Sequence, residues 1–145
     1  MEYSKKGRSI YVRLDKGDEI IGSLMSVFES NGVSSALFQG IGACGDVTVA
    51  TYIPEKDDFL DHNKKGMLEM ISLNGNVVTC DDGSRAIHAH SMFSYLNGEG
   101  EMSFFGGHLK SAIVLYTAEL RIDPVEDGTI GRKKDPLTGI DVWKL

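Results

Sequence analysis

The sequence predicts an α+β domain, a mainly antiparallel β-sheet packed with one principal α-helix, and three observations carry that prediction. Apolar residues recur at helical spacing in one place only, over residues 18 to 31. Elsewhere the pattern is that of strands, in short β-branched and aromatic runs punctuated by glycine. No regular alternation of strand with helix occurs, so a parallel doubly wound sheet is not indicated.

The first strand is read at "SIYVRL", residues 9 to 14. In the helix, Ile20, Ile21, Leu24, Met25, Val27 and Phe28 form one stripe, with Asp18 placed as N-cap and Gly32 placed to close it in a left-handed conformation. Beyond Val33, "SSALFQGIGA" and "DVTVATYI" read as two strands joined at a tight turn around Gly40, Gly42 and Gly45. The charged run "PEKDDFLDHNKK" lacks periodicity and reads as a loop. In "MLEMISLNGNVVTC" alternation returns, with Asn74-Gly75 as a hairpin turn or a bulge, and "DDGS" is a further turn. Strands follow at about residues 85 to 95, 101 to 106 and 112 to 122. Residues 1 to 145 therefore read as a single domain with a core over about 9 to 122. The extension 123 to 145 has little regularity, although Ile140, Val142 and Trp143 offer an apolar anchor to the domain or to a neighbouring subunit.

Composition narrows the function. The chain of 145 residues is 41% hydrophobic, enough to bury one core. Its net charge of -6 repels a polyanion unless basic residues gather on one face. No run of about 18 apolar residues is present and the basic N-terminus lacks a long apolar stretch, so a soluble, cytoplasmic protein without membrane contact is expected. Cys44 and Cys80 lack a CxxC spacing and read as reduced thiols, Cys44 as a small buried residue. No phosphate-binding loop, dinucleotide fingerprint or nucleophile elbow occurs, and "GIGACG" joins strand to strand without opening a helix.

Three of the four histidines lie in "IHAHSM" and "FFGGHL", on either side of the turn signal "NGEGE". Residues i and i+2 of a strand share a face at about 6.6 to 7 Å, so His88 and His90 can lean onto one ion at about 2.0 to 2.1 Å. A three-residue loop at Asn97, Gly98 and Glu99 would set His108 opposite His88 on that face. A two-residue turn would send it to the other face, unless a bulge at Gly106-Gly107 restores it. Hydrogen-bonded or exposed histidines without a metal remain the alternative at this point. Imidazole donors favour a divalent transition metal, zinc first, over calcium or magnesium, and three protein ligands leave a position open to water or a small ligand. Glu69 is the candidate general base if its strand lies beside the histidines; a solvent-facing glutamate is the plainer reading. His62, in the charged loop, is set aside as exposed.

Taken in order, "GIGACGDVTVATY", "GMLEMISLNGNV", "IHAHSMFS" and "FFGGHL" resemble the plants-and-prokaryotes-conserved (PPC) domain, found alone in bacteria and archaea and joined to AT-hooks in plant nuclear proteins. The likeness spans about residues 9 to 122, and its most specific pieces are His88-x-His90 and Gly106-Gly107-His108-Leu109. It implies a compact α+β domain, a homotrimer, support for the three histidines as a metal site, and a DNA-associated or regulatory role. The AT-hook core is missing: "KKGRS" lacks the second paired arginine and the proline, so only weak DNA binding is expected of this chain alone. A metal-dependent, hydrolase-like enzyme using the open coordination position is the alternative function.

Overall fold

The computed structural model describes residues Met1–Leu145. Its strands are β1 (Glu2–Lys6), β2 (Ser9–Asp15), β3 (Ala36–Ile53), β4 (Asp58–Thr79), β5 (Arg85–Leu96), β6 (Met102–Pro124), β7 (Gly131–Lys134) and β8 (Asp141–Lys144), with one α-helix, α1 (Ile20–Ser30). All strand pairs are antiparallel except β4 with β7. The pairing closes on itself, because β3 bonds to β4 and β6, and β5 bonds to the same two strands. The hairpin β1–β2 continues the sheet from β6.

Long strands replace several turns expected from the sequence. β3 runs unbroken through its glycines, which are taken up as register shifts between Gly40 and Gly42 and between Cys44 and Asp46. A bulge bends a strand without ending it, which explains why glycines there imitate a turn. Asn74 and Gly75 form neither a hairpin turn nor a bulge. Asn74 pairs with Gln39 on one side and His90 on the other, while Gly75 pairs with Phe38 and Ala89. The charged run is also mostly strand: a single 3-10 turn, Pro54–Lys56, precedes β4, whose first half bonds to β3. Charge hid it, since β4 is exposed over most of residues 58 to 67 and has no apolar face there to show a period of two. The segments 101 to 106 and 112 to 122 are parts of one strand, β6.

Helix α1 buries Ile20, Leu24, Val27 and Phe28, the stripe expected, with the Phe28 and Phe38 rings 6.1 Å apart. Each such side chain contributes about 1.5 to 3 kcal/mol on burial. Its N-cap is Glu19, whose Oε2 accepts from the Gly22 N–H at 2.6 Å, while Asp18 instead accepts from the Asp15 N–H at 2.8 Å. The other Glu19 oxygen accepts from the Ala112 N–H at 3.2 Å, so one carboxylate caps the helix and ties it to β6. At the far end Gly32 has φ 62, the left-handed closure expected. Cys44 is fully buried in the core, where desolvation pushes its thiol up to about 12, and Cys80 is also a free thiol.

The extension is partly regular. β7 and β8 form a hairpin joined to the end of β4 by the Thr79–Gly131 bridge. Its attachment is polar: the Ser35 hydroxyl donates to the Ile130 carbonyl at 3.0 Å and accepts from the Ile130 N–H at 2.9 Å. Ile140 and Trp143 remain exposed, so the apolar anchor read from the sequence is not made within the subunit. No helix is long and apolar enough to cross a membrane.

Candidate metal centre

Strand β5 sets out two histidines because its other face belongs to the core. Ala89, Ser91 and Phe93 point inward, Ser91 donating its hydroxyl to the Ser72 carbonyl at 2.7 Å, so His88 and His90 stand on the outer face. The third arrives across the β5–β6 hairpin. The connection spans residues 97 to 101, in which the Asn97 side-chain oxygen accepts from the backbone N–H groups of Glu99 and Glu101. This five-residue loop pairs His90, and not His88, with His108. The expected three-residue loop is corrected accordingly.

At His108 the backbone is crowded on both sides, since β6 pairs there with His90 of β5 and Ala50 of β3. The glycine pair ahead of it makes this approach feasible. A Cβ at Gly106 would lie 2.5 Å from the Ser91 carbonyl oxygen, and one at Gly107, whose φ is 155, would lie 2.6 Å from that of Ala50.

The three imidazoles form a compact triangle. Ring centroids are 5.1 Å apart for His88 and His90, 5.1 Å for His88 and His108, and 5.5 Å for His90 and His108. One nitrogen from each lies within 4.8 Å of the others, and the Nε2 atoms of His88 and His90 are 3.1 Å apart. Two nitrogens bound to one tetrahedral zinc would be about 3.3 Å apart. No carboxylate or thiol belongs to this group.

The surroundings favour neutral rings. Desolvation, followed by the charges of His90 and Arg132, lowers the pKa of His88. Desolvation also leads at His108, joined by His88, His90, Lys110 and Arg132. A neutral imidazole keeps the lone pair a metal needs, so the donor set fits a transition ion. The Phe59 ring lies 5.4 Å from that of His108, while a cleft of 400 Å³, lined by Asn74, His90, Met92 and Phe104, opens beside His90. A larger groove of 660 Å³ lies on the sheet face between Tyr3, Tyr11, Ile41 and Ile71 and includes none of the histidines.

Glu69 is not brought to the cluster. The register of β4 on β5 sets it against Ser94, four residues from His90, or about 13 Å along the strand. His62 is exposed as expected, but on β4 opposite Val49 and not in a loop. Phe59, Lys110 and Arg132 are the neighbours that sequence reasoning missed. Two lay in segments read as loop and irregular tail, and Lys110 carried no motif.

The family profile described as the Plants and Prokaryotes Conserved (PCC) domain matches residues 1–126. A plant- and prokaryote-conserved protein from Pyrococcus horikoshii is 30% identical, with 99% of this chain and 95% of that one covered at a TM-score of 0.80. A metal-containing protein from Archaeoglobus fulgidus is 28% identical, with 99% and 97% covered and a TM-score of 0.83. A candidate DNA-binding protein from Bacteroides thetaiotaomicron shares the fold at a TM-score of 0.86 and 24% identity, with 99% and 96% covered. No curated protein sequence matches the chain.

Proposed function

The chain belongs to the Plants and Prokaryotes Conserved domain family, and on that footing we propose that it is a homotrimeric metal-binding protein whose His88, His90 and His108 hold one divalent transition ion, zinc. The observation that carries this reading is the convergence of three imidazole nitrogens within 4.8 Å. Their partial burial supports it, because desolvation keeps His88 and His108 neutral and ready to coordinate. The metal-containing relative from Archaeoglobus fulgidus gives further support. When bound, the ion supplies a Lewis-acid centre with one position for a water or a small ligand.

Trimer formation has its physical motive on the outer sheet face. Ile41, Ile71, Met92 and Phe104 are all exposed on the strands there, and exposed apolar side chains favour association. A DNA-associated regulatory role is what the family likeness implies; the chain alone is poorly equipped for it. Several of its cations are already paired, Arg13 with Glu2 and Asp15, Arg121 with Asp123, and Lys110 with Asp61. Direct duplex binding should therefore be weak and without sequence preference.

The test is metal stoichiometry per chain for untagged wild type and each single His→Ala variant, with light scattering for mass. One ion per wild-type chain, lost in each variant, and a trimer mass are expected. Equal metal content in all four proteins, or a monomer mass at micromolar concentration, rejects the corresponding part.

The second reading, a metal-dependent hydrolase-like enzyme, is favoured by the coordination position that a three-histidine site would leave open and by the cleft lined by His90. It lacks a carboxylate base in the histidine group, and Glu69 lies too far along its strand to act as one. Turnover of an ester or amide by the metal-loaded wild type, abolished in His90→Ala, would establish it.

A further inference from the structure

Three features meet at the histidine cluster. The first is charge. All three donors are imidazoles, which bring no negative charge to an ion, and no Asp or Glu belongs to the group, so both charges of a bound divalent ion would be left without a compensating ligand. This stands out in a chain of net charge -6 that pairs its cations with carboxylates elsewhere.

The second is the path of the extension. β7 leaves the end of β4 at the Thr79–Gly131 bridge, three residues beyond Asn76, which faces His88. That is about 10 Å of strand, and Arg132 is the next residue of β7. Its positive charge reaches both His88 and His108. The third is the state of that guanidinium. Asp141 on β8 forms an ion pair with its Nη2 at 3.0 Å, and the side chain remains 36% exposed. One carboxylate does not exhaust five N–H donors. Lys110, the other cation acting on His108, is instead held by Asp61 at 2.8 Å.

We propose that the histidine-held ion and Arg132 together form a subsite for a small oxyanion, a carboxylate or a phosphate, with one oxygen on the ion and another on the guanidinium. The proposal rests on the metal reading above and names the ligand class for its open position. The pairing is chemically suited: a hard oxygen donor compensates the ion, and the planar guanidinium presents two parallel N–H groups to a second oxygen of the same anion. Asp141 acts as a resident competitor, holding the guanidinium while the subsite is empty. Phe59, beside His108, adds an apolar wall for whatever carbon the anion carries.

The experiment uses the full chain loaded with cobalt(II), whose visible absorption responds to a change in its donors. The probes are inorganic phosphate and acetate, titrated separately. Wild type should bind a probe saturably, and the tighter of the two names the class. Arg132→Gln should keep full cobalt content and bind the probe about tenfold more weakly, the loss of one charge-assisted bond. Asp141→Asn should bind it more tightly, because the guanidinium is released. The opposite signs separate this role from a structural one, since both substitutions remove the same ion pair of the hairpin. Weakening in both variants, or wild-type affinity in Arg132→Gln, overturns the subsite. Full cobalt uptake with no response to either anion overturns it while leaving the metal reading intact. A wild-type chain that takes up no cobalt removes both.

Discussion

Gly107→Ala should damage the metal site from outside it. The added methyl would lie 2.6 Å from the Ala50 carbonyl oxygen, against an ordinary contact of 3.4 Å or more. Because the obstacle is backbone, no side-chain rotation relieves it, and a φ of 155 is unfavourable to alanine as well. β6 and β3 must separate where Ala50 pairs with His108, or the peptide must turn; either moves the third imidazole. Overpacking of this kind costs about 1 to 3 kcal/mol. For a domain of this size that is roughly 3 to 12 °C in Tm. The assay is thermal unfolding of the metal-free protein together with zinc titration. Expected are a lowered Tm and an affinity at least about tenfold weaker, since donors must be held to within a few tenths of an ångström. Wild-type affinity in Gly107→Ala would refute the argument that the glycine pair positions His108. An unchanged Tm would show that the strand gap is looser than its geometry indicates.

Leu24→Asp, at a fully buried position on α1, replaces core packing with a carboxyl group that has no partner, and should cost about 4 kcal/mol or more. Loss of a cooperative thermal transition is the expected result, and an unchanged melting curve would mean that the stripe does not hold the helix to the sheet. Stability of the metal-free protein should fall as the pH drops below about 6.5. His88 and His108 have folded-state pKa values below their ordinary 6.5, so the unfolded chain takes up protons first and unfolding gains from acidity. The stabilisation is fully present above 6.5 and the loss is complete below the folded values. Chemical denaturation of the double variant His88→Gln/His108→Gln should show a flatter profile across this window, and an unchanged slope would assign the effect to other groups.

What the sequence revealed and what it concealed divide along one physical line. Where one face is buried, its period was readable, as in the stripe of α1 and in β5, where His88 and His90 share the face opposite the core; the closing Gly32 was readable from its residue type alone. Where a strand is exposed, as in residues 58 to 67, polar residues occupy both faces and no period remains to read. Glycines misled for a related reason. At Gly40 and Gly42 they admit a shift of register within a continuous strand, whereas a sequence shows only the absence of side chains. Asp18 and Glu19 are both acidic and adjacent, and the choice between them as cap depended on Ala112, a contact 93 residues away.

The register error at the β5–β6 hairpin explains why the candidate site survived an incorrect turn. Setting His108 against His88 and setting it against His90 differ by two residues, and side chains alternate with a period of two. Either pairing places all three imidazoles on the outer face, one pair directly opposite and one diagonal. A two-residue turn would have broken this, by sending His108 to the other face without a bulge. The pattern His-x-His with one histidine across a hairpin therefore needs only the parity of the loop to be right, while the shape of the triangle needs the register itself. With His90 opposite His108, His88 is the diagonal member, and its ring still reaches within 5.1 Å of the His108 ring. That reach points along β5 toward the strand end where β7 delivers Arg132, and away from Glu69 beside Ser94. The register thus decides which charged neighbour a ligand at this site would meet, a cation from the extension in preference to a general base from β4.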